Sequence, residues 1–416
     1  MRYTLIVSDV HLSTLARGPG ESMPYRREAN LPDEQLARIF DRAVLQAATD
    51  RAKLEIILNG DLFDLDAPPA SETDGEDYYA DQRTELGAAH LLSLILDEHP
   101  LVREALSRAL AVGHRVVVIP GNHDSQLVFS RVRVALAQAL RGPAASSSFS
   151  LVFKSWFHRT PDGVHVEHGH VYDPTTVMEY LSPPADGRLE DTVGSVTSYY
   201  APLLFSSVSP YEIDPIAALP DDLSSVLASC LASRDGCASP QAPVLARLLR
   251  ALLLVKPSDP DGIHDPRWLA QVARETGSEL AAVKAHRSLF AKKADASLLS
   301  RTLGKRPSAY SSQPSAQERD ESAEYYDYGR DTSARLRAAM SKIAHLYPVR
   351  GVVMGHTHAP FATLTPDQKW IANSGSWTPI VGRRDAGPLG SFVWITSDGP
   401  RLAGQLRHVW PSGVVT

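Results

Sequence analysis

The stretch VVMGHTHAP, residues 352–360, runs three apolar residues into a glycine and then sets His356 and His358 two positions apart. The apolar run reads as a strand buried on both faces, because Val-rich segments without polar alternation belong to the interior of α/β sheets. Side chains i and i+2 of an extended segment share a side, so the spacing predicts both imidazoles aimed at one place. Solvated loop histidines would show the same spacing, so a metal site or proton relay requires ligands from elsewhere in the chain.

Three more runs of this kind precede it: YTLIV (3–7), LEIILN (54–59) and RVVVIP (115–120). Each opens into a polar cluster, SDVH (8–11), GDLFD (60–64) and GNHD (121–124), as the last run opens into GHTH (355–358). Between the first two, PDEQLARIFDRAVLQAATDRA places Leu36, Ile39, Phe40, Ala43, Val44 and Ala47 on one helical face after a start at Asp33. A second helical pattern, LVREALSRALAVG (101–113), stops at a glycine before the third strand. Alternating strands and helices predict a layered α/β fold. Ligands of open α/β sheets bind outside the carboxyl ends of the strands, so the four polar clusters are expected on one rim.

The chain has 416 residues, 43% apolar and 22% charged, the balance of a globular protein able to bury a large core. Its net charge of −6, from 42 basic and 48 acidic residues, offers no electrostatic case for general binding of nucleic acid or anionic membranes. RVRVALAQALR (131–141) reads as the wet side of a helix. Cys230 and Cys237 have no further sulfur ligands nearby and read as reduced thiols. No apolar run approaches the ~20 residues of a membrane span, and the apolar part of MRYTLIVSDVHLS is too short for a signal sequence. A cytoplasmic, non-transmembrane protein is expected.

The middle of the chain differs. After a loop at 141–150, SLVFKSWFHRT and GVHVEHGHVYDP read as a strand pair about a PDG turn. From about 176 the sequence turns rich in Pro, Ser and Ala, with helical patches such as VLARLLRALLLV (244–255), and residues 305–331 are polar enough for a mobile loop. The expected organisation is a core of residues 1–175 and 335–416, interrupted by an insertion or cap at 176–334. DTSARLRAAMSKIAHLYP returns to a helical pattern, and FVWITSDGPRLAGQLRHVW closes the chain with strands around a turn.

The candidate ligands, in chain order, are Asp9, His11, Asp61, Asn122, His168, His356 and His358. Carboxylate and amide oxygens with imidazole nitrogens and no thiolate suit Mn²⁺, Fe or Zn²⁺. Seven ligands exceed one tetrahedral ion and suffice for two, provided a carboxylate bridges and positions stay open for water and substrate.

The ordered set D-x-H, G-D-x-x-D, G-N-H-D, a later lone His and G-H-x-H resembles the signature of the calcineurin-like metallophosphoesterases. It stands here as Asp9–His11, Gly60–Asp64, Gly121–Asp124, His168 and Gly355–His358, and covers about 1–173 and 335–380. The resemblance implies an α/β/β/α fold, a two-sheet sandwich flanked by helices, with a mainly helical or irregular insertion. It implies two divalent ions, Mn²⁺ first with Fe or Zn²⁺ as alternatives. Asp9, His11 and His358 would hold one, Asn122, His168 and His356 the other, and Asp61 would bridge. NSGSW (373–377) is similar to the strand turn that follows the last motif. Two such ions, roughly 3.5 to 4 Å apart, lower the pKa of a shared water toward ~7, and the resulting hydroxide would attack phosphorus in line. His123 would donate a proton to the leaving oxygen or bond the phosphoryl group, with Asp124 or Asp64 orienting a histidine.

The expected activity is therefore hydrolysis of a phosphate monoester or diester, with a phosphorylated substrate as the partner. SDVHLS, GDLFD and GHTHAP also resemble the UDP-diacylglucosamine pyrophosphatases, which carry Arg at the position of His123 and HGD where this chain has HGH. Under that alternative the substrate is a nucleotide diphosphate-linked lipid, and only then is peripheral membrane contact expected. A protein phosphatase or nuclease is a lesser alternative, the acidic balance disfavouring a nuclease. A scaffold that kept the metal site without the reaction is the reading from another class. His170 would contact substrate or face water, and Asp64 would brace its loop or meet a ligand. His99, His114, His158, His165, His264, His286, His345 and His408 read as surface or packing residues. Tyr78 and Tyr79, within SETDGEDYYADQ, read as a solvated loop, or alternatively as lining the entrance.

Overall fold

Strands β1 (Arg2–Val7), β2 (Lys53–Asn59) and β3 (Arg115–Ile119) lie side by side and parallel, each with its chain emerging at the same edge of the sheet. This is a computed structural model, and it describes residues 1–15, 26, 32–69, 78–141, 149–178, 181, 186–204, 242–256, 266–293, 328–378, 388–410 and 412–416. β4 (Ser150–Phe153) extends the sheet beyond β3, and the antiparallel β10 (Gly390–Asp398) and β11 (Arg401–Val409) close its other side in the order β11-β10-β1-β2-β3-β4. A second sheet has the order β5-β6-β7-β9-β8, from β5 (Phe157–Arg159), β6 (Val164–Glu167), β7 (Gly351–Met354), β8 (Phe361–Leu364) and β9 (Trp370–Asn373).

The period of two along these strands builds the layers. Ile6, Ile57, Val117, Val166, Val353 and Ile395 meet between the two sheets. Their neighbours Leu5, Ile56, Val116 and Val118 face the opposite way, beneath α1 (Asp33–Thr49), α3 (Glu85–Glu98), α4 (Pro100–Ala111) and α5 (Ser130–Arg141). The short α2 (Tyr79–Gln82) precedes α3. Helix α1 begins at Asp33 and buries Leu36, Ile39, Phe40, Ala43 and Ala47, the face its periodicity predicts. The outer side of the second sheet, through Val352 and Met354, is covered by α10 (Tyr328–Leu346), joined there by α8 (Pro266–Thr276) and α9 (Leu280–Arg287). The architecture is an α/β/β/α sandwich, as expected.

Three expectations change. SLVFKSWFHRT is not one strand: β4 pairs parallel with β3, whereas β5 pairs antiparallel with β6, so residues 154–156 carry the chain from one sheet to the other. Only the hairpin about Gly163, whose N–H donates to the Thr160 carbonyl at 2.9 Å, matches the expected pair. Second, helices within 176–334, the expected insertion or cap, add to the cover of the second sheet. Trp268, Leu269, Val272 and Val283 pack into the same cluster as Leu336 and Met340, because one helix cannot cover the apolar face of a five-stranded sheet. α6 (Val193–Leu204) and α7 (Ala242–Leu254) form a separate cluster. Third, Tyr79 is buried in that cluster at 5% exposure, its hydroxyl donating to Asp191 Oδ1 at 2.9 Å, not solvated in a loop. Cys230, Cys237, His264 and most of 305–331 lie outside the described residues. Among the described residues no helix is long and apolar enough to cross a membrane.

Candidate metal centre

All seven candidate ligands follow strand ends. Asp9 and His11 follow β1, Asp61 follows β2, Asn122 follows β3, His168 follows β6, and His356 and His358 follow β7. β1, β2 and β3 are parallel neighbours in the first sheet, and β6 and β7 in the second, so these termini gather at one edge of the sandwich. The backbone leaves the strands abruptly: Asp9, His11, Asp61, His356 and His358 have φ of 53°, 56°, 52°, 69° and 55°. Such left-handed conformations in non-glycine residues persist only where surrounding contacts over-determine them, and they concentrate at functional sites. Two glycines admit the close approaches. A Cβ on Gly60 would lie 2.4 Å from His168 Cγ, and one on Gly355 would lie 2.4 Å from Asp9 Oδ2.

The left-handed turns also correct the reading of GHTH. Neither histidine is extended, so the two rings do not share a target by strand alternation. His358 joins Asp9 and His11, and His356 joins Asp61 and His168, each set with donor atoms within 4.8 Å of one another. In the first set His358 Nε2 lies 3.2 Å from His11 Nε2 and 3.3 Å from Asp9 Oδ1. In the second, His168 Nε2 lies 3.0 Å from Asp61 Oδ2 and 3.3 Å from Asn122 Oδ1. Asp9, His11, Asp61 and His168 form a buried floor, whereas Asn122, His123, His356 and His358 are partly exposed at the opening.

Hydrogen bonds on the far side of the rings decide which nitrogen faces inward. His11 Nδ1 donates to Asp64 Oδ1 at 2.7 Å, His168 Nδ1 to the Asn59 carbonyl at 2.9 Å, and His356 Nε2 to Asp173 Oδ2 at 3.0 Å. That leaves His11 Nε2, His168 Nε2 and His356 Nδ1 for the interior. Asp64, expected either to brace its loop or to meet a ligand, thus meets a histidine. Asp173 and Asn59 had no motif to mark them.

His123 and Asp124 part company. His123 Nδ1 donates to Asp66 Oδ1 at 2.8 Å, and its backbone N–H donates to Asp61 Oδ1 at 2.8 Å. Asp66 stands two residues past GDLFD, and a third acid in GDLFDLD was the only sequence signal for it. Asp124 is buried and meets no ring. Its carboxylate accepts backbone N–H groups of Gly121 at 2.6 Å, Leu62 at 2.8 Å, Asp61 at 3.2 Å and Phe63 at 3.4 Å, bracing the β2 and β3 loops together. Of the two acids expected to orient a histidine, Asp64 does so and Asp124 holds backbone instead. His170 is 2% exposed and does not face water; its ring centroid lies 5.4 Å from that of His168. His99, His158, His165 and His286 are buried, whereas His345 is exposed.

Charges in the centre are strongly displaced. Burial pushes the Asp61 carboxyl up, but His168 and His123 outweigh it and hold the group well below the usual carboxylate range. Burial opposes charge on His168, and Asp61 and Asp9 overcome that to raise it to about 9. Burial likewise works against a charged His123, while Asp66, Asp61 and Asp64 raise it well above its ordinary value. Burial, then the Asp61 charge, pushes Asp124 up to about 7. Asp61 is thus paired with His168 and His123, while burial lowers His11.

That arrangement fits cations. Distances of 3.0 to 3.3 Å between inward-facing donors are the edges of a coordination polyhedron with bonds of about 2.0–2.2 Å. Two imidazole nitrogens 3.2 Å apart need a proton or a cation between them, and metal binding releases such protons. The His and Asp groups fit two ions.

No family model matches the chain, and no curated protein matches it. Among solved structures it is similar to a dimetal phosphatase from Danio rerio, at 14% identity over 98% of this chain and 96% of that one, with a TM-score of 0.35. It is also similar to the protein TT1561 of Thermus thermophilus, at 10% identity over 97% of this chain and 98% of that one, with a TM-score of 0.29. Overlap this loose says nothing of the reaction.

Proposed function

We propose that the chain is a dimetal-dependent phosphoric ester hydrolase acting on a phosphate monoester or diester. The observation that supports this is the pair of donor sets at one rim, Asp9/His11/His358 and Asp61/His168/His356, with Asn122 beside His168 and His123 at the opening. Asp61 is the proposed bridge. Mn²⁺ suits this oxygen and nitrogen set, as do Fe and Zn²⁺. When bound, such ions supply Lewis acidity toward phosphoryl oxygens and a water acidic enough to ionise near neutral pH.

The chain's own side chains then do the following. Asp64, Asp173 and the Asn59 carbonyl hold three imidazoles in the tautomer that ligation requires. Asp66 accepts the Nδ1 proton of His123, so Nε2 is the atom that carries a proton to the leaving oxygen. Burial of the floor excludes bulk water and strengthens each of these contacts. A nucleotide diphosphate-linked substrate remains the alternative, and a non-catalytic metal-binding scaffold the competitor from another class.

The test is a screen of protein reconstituted with Mn²⁺, Fe²⁺ or Zn²⁺ against an aryl phosphate monoester, a bis-aryl phosphate diester and a nucleotide diphosphate-linked substrate. Hydrolysis of one of the first two in proportion to metal content supports the proposal. Turnover of the third alone assigns a pyrophosphatase. Bound metal with no turnover of any of them leaves the scaffold.

A further inference from the structure

A second cluster of metal-ligating side chains lies on the outer side of the second sheet, away from the rim. His165 and Glu167 stand two apart on β6, so they share a side, while Val164 and Val166 face the layer between the sheets. His286 reaches them from α9. All three side chains are 0% exposed, and their donor atoms lie within 4.8 Å of one another.

The cluster is incompletely satisfied. His165 Nδ1 and Glu167 Oε2 make no hydrogen bond, and His165 Nε2 reaches only a long contact of 3.4 Å to Glu167 Oε1. Buried polar groups are as a rule paired, and a buried carboxylate needs a compensating positive charge. The rings are also held in place. His165 packs against both Phe157 and Tyr347, with centroids 4.6 and 5.5 Å away and interplanar angles of 27° and 24°. His286 Nδ1 is 3.2 Å from Tyr347 Oη, which turns Nε2 toward Glu167.

We propose that His165, Glu167 and His286, completed by Tyr172, form a third and structural cation site of the zinc type. Zinc bonds to nitrogen and oxygen of about 2.0–2.1 Å place tetrahedral ligand atoms about 3.3–3.4 Å apart. His165 Nε2 lies 3.4 Å and His286 Nε2 3.3 Å from Glu167 Oε1. Tyr172 Oη is 2.8 Å from Glu167 Oε1 and 2.7 Å from His286 Nε2; these are hydrogen-bond distances, shorter than a tetrahedral edge, so Tyr172 is the nearest oxygen to the fourth position and would reach it by an outward shift of about 0.5 Å. Two imidazoles, a carboxylate and a phenol suit Zn²⁺ and exclude a soft-metal site. Complete burial leaves no open position for substrate, so the role is structural. The cation would clasp α9 to β6 one residue from His168.

The experiment is an anomalous difference map at the zinc edge from crystals of the wild-type protein grown with Zn²⁺. A peak between His165, Glu167 and His286 supports the proposal, and no peak there overturns it. Peaks at the rim alone would show two ions and a cluster that shares a proton instead. A peak here with none at the rim would sustain this site and sink the proposed function. In solution, His286→Gln is expected to lower bound Zn²⁺ from three equivalents to two. A folded variant that keeps the wild-type stoichiometry contradicts the assignment, and should it fail to fold, the wild-type map decides.

Discussion

Replacing Gly60 by alanine tests whether the left-handed turn after β2 exists to let His168 approach. Gly60 has φ +81°, and its added Cβ would sit 2.4 Å from His168 Cγ and 2.5 Å from Nδ1, about 1 Å inside ordinary contact. Alanine in that conformation costs about 1–2 kcal/mol by itself. The ring must then move by about 1 Å, which breaks the Nδ1 bond to Asn59 and the Nε2 contact with Asp61. Losing hydrogen bonds of this kind, one to a charged group, adds roughly 1–3 kcal/mol. The sum is about 2–5 kcal/mol. Gly399 is the control, because at φ +58° its Cβ would meet nothing within 4 Å. Gly399→Ala therefore carries the backbone cost alone, about 1–2 kcal/mol. Urea midpoints of the two metal-free variants isolate the contact with His168, and chelator competition measures the ions. Gly60→Ala is expected to weaken one ion by at least ten-fold and Gly399→Ala neither. If both variants lose the same stability and both bind two ions like the parent, the close-approach argument is wrong.

His123→Ala should lower turnover by about 10²- to 10⁴-fold with metal content intact; unchanged turnover removes its role as acid. Asp66→Asn should lower kcat by about 10-fold and move the alkaline limb of the pH profile to lower pH. Asp66 raises His123, so the protonated form persists to higher pH with it than without it, and superimposable profiles would exclude Asp66 as a positioning residue. Asp173→Asn replaces the carboxylate that accepts from His356 Nε2 with a neutral, weaker amide acceptor and should weaken one of the two ions about 10- to 100-fold. Equal weakening of both, measured by titration calorimetry, contradicts the division of ligands.

Strands and the first helix were legible because their signal is local. The unbroken apolar runs YTLIV and LEIILN, and the apolar stripe of Leu36, Phe40, Ala43 and Ala47, are set by residues within one element. The candidate ligands could be picked out for the same reason, each motif being a short loop at a strand end. Tyr79 was misread because acidic neighbours dominate its local composition, while its burial depends on Tyr199 and Tyr200, more than a hundred residues away. Asp124 was misread because its place in GNHD suits a histidine partner equally well as four backbone N–H groups, and only the meeting of two loops selects between them.

By itself, then, the sequence determined the strand ends, the donor types and their order, since these follow from chemistry carried within a few consecutive residues. Tertiary structure decided which imidazole joins which carboxylate, that Asp66 and Asp173 stand behind His123 and His356, and that α8 and α9 belong to the cover of the second sheet. Those outcomes depend on where two sheets and a returning chain bring distant atoms to within about 3 Å, the range over which hydrogen bonds and ligand contacts act.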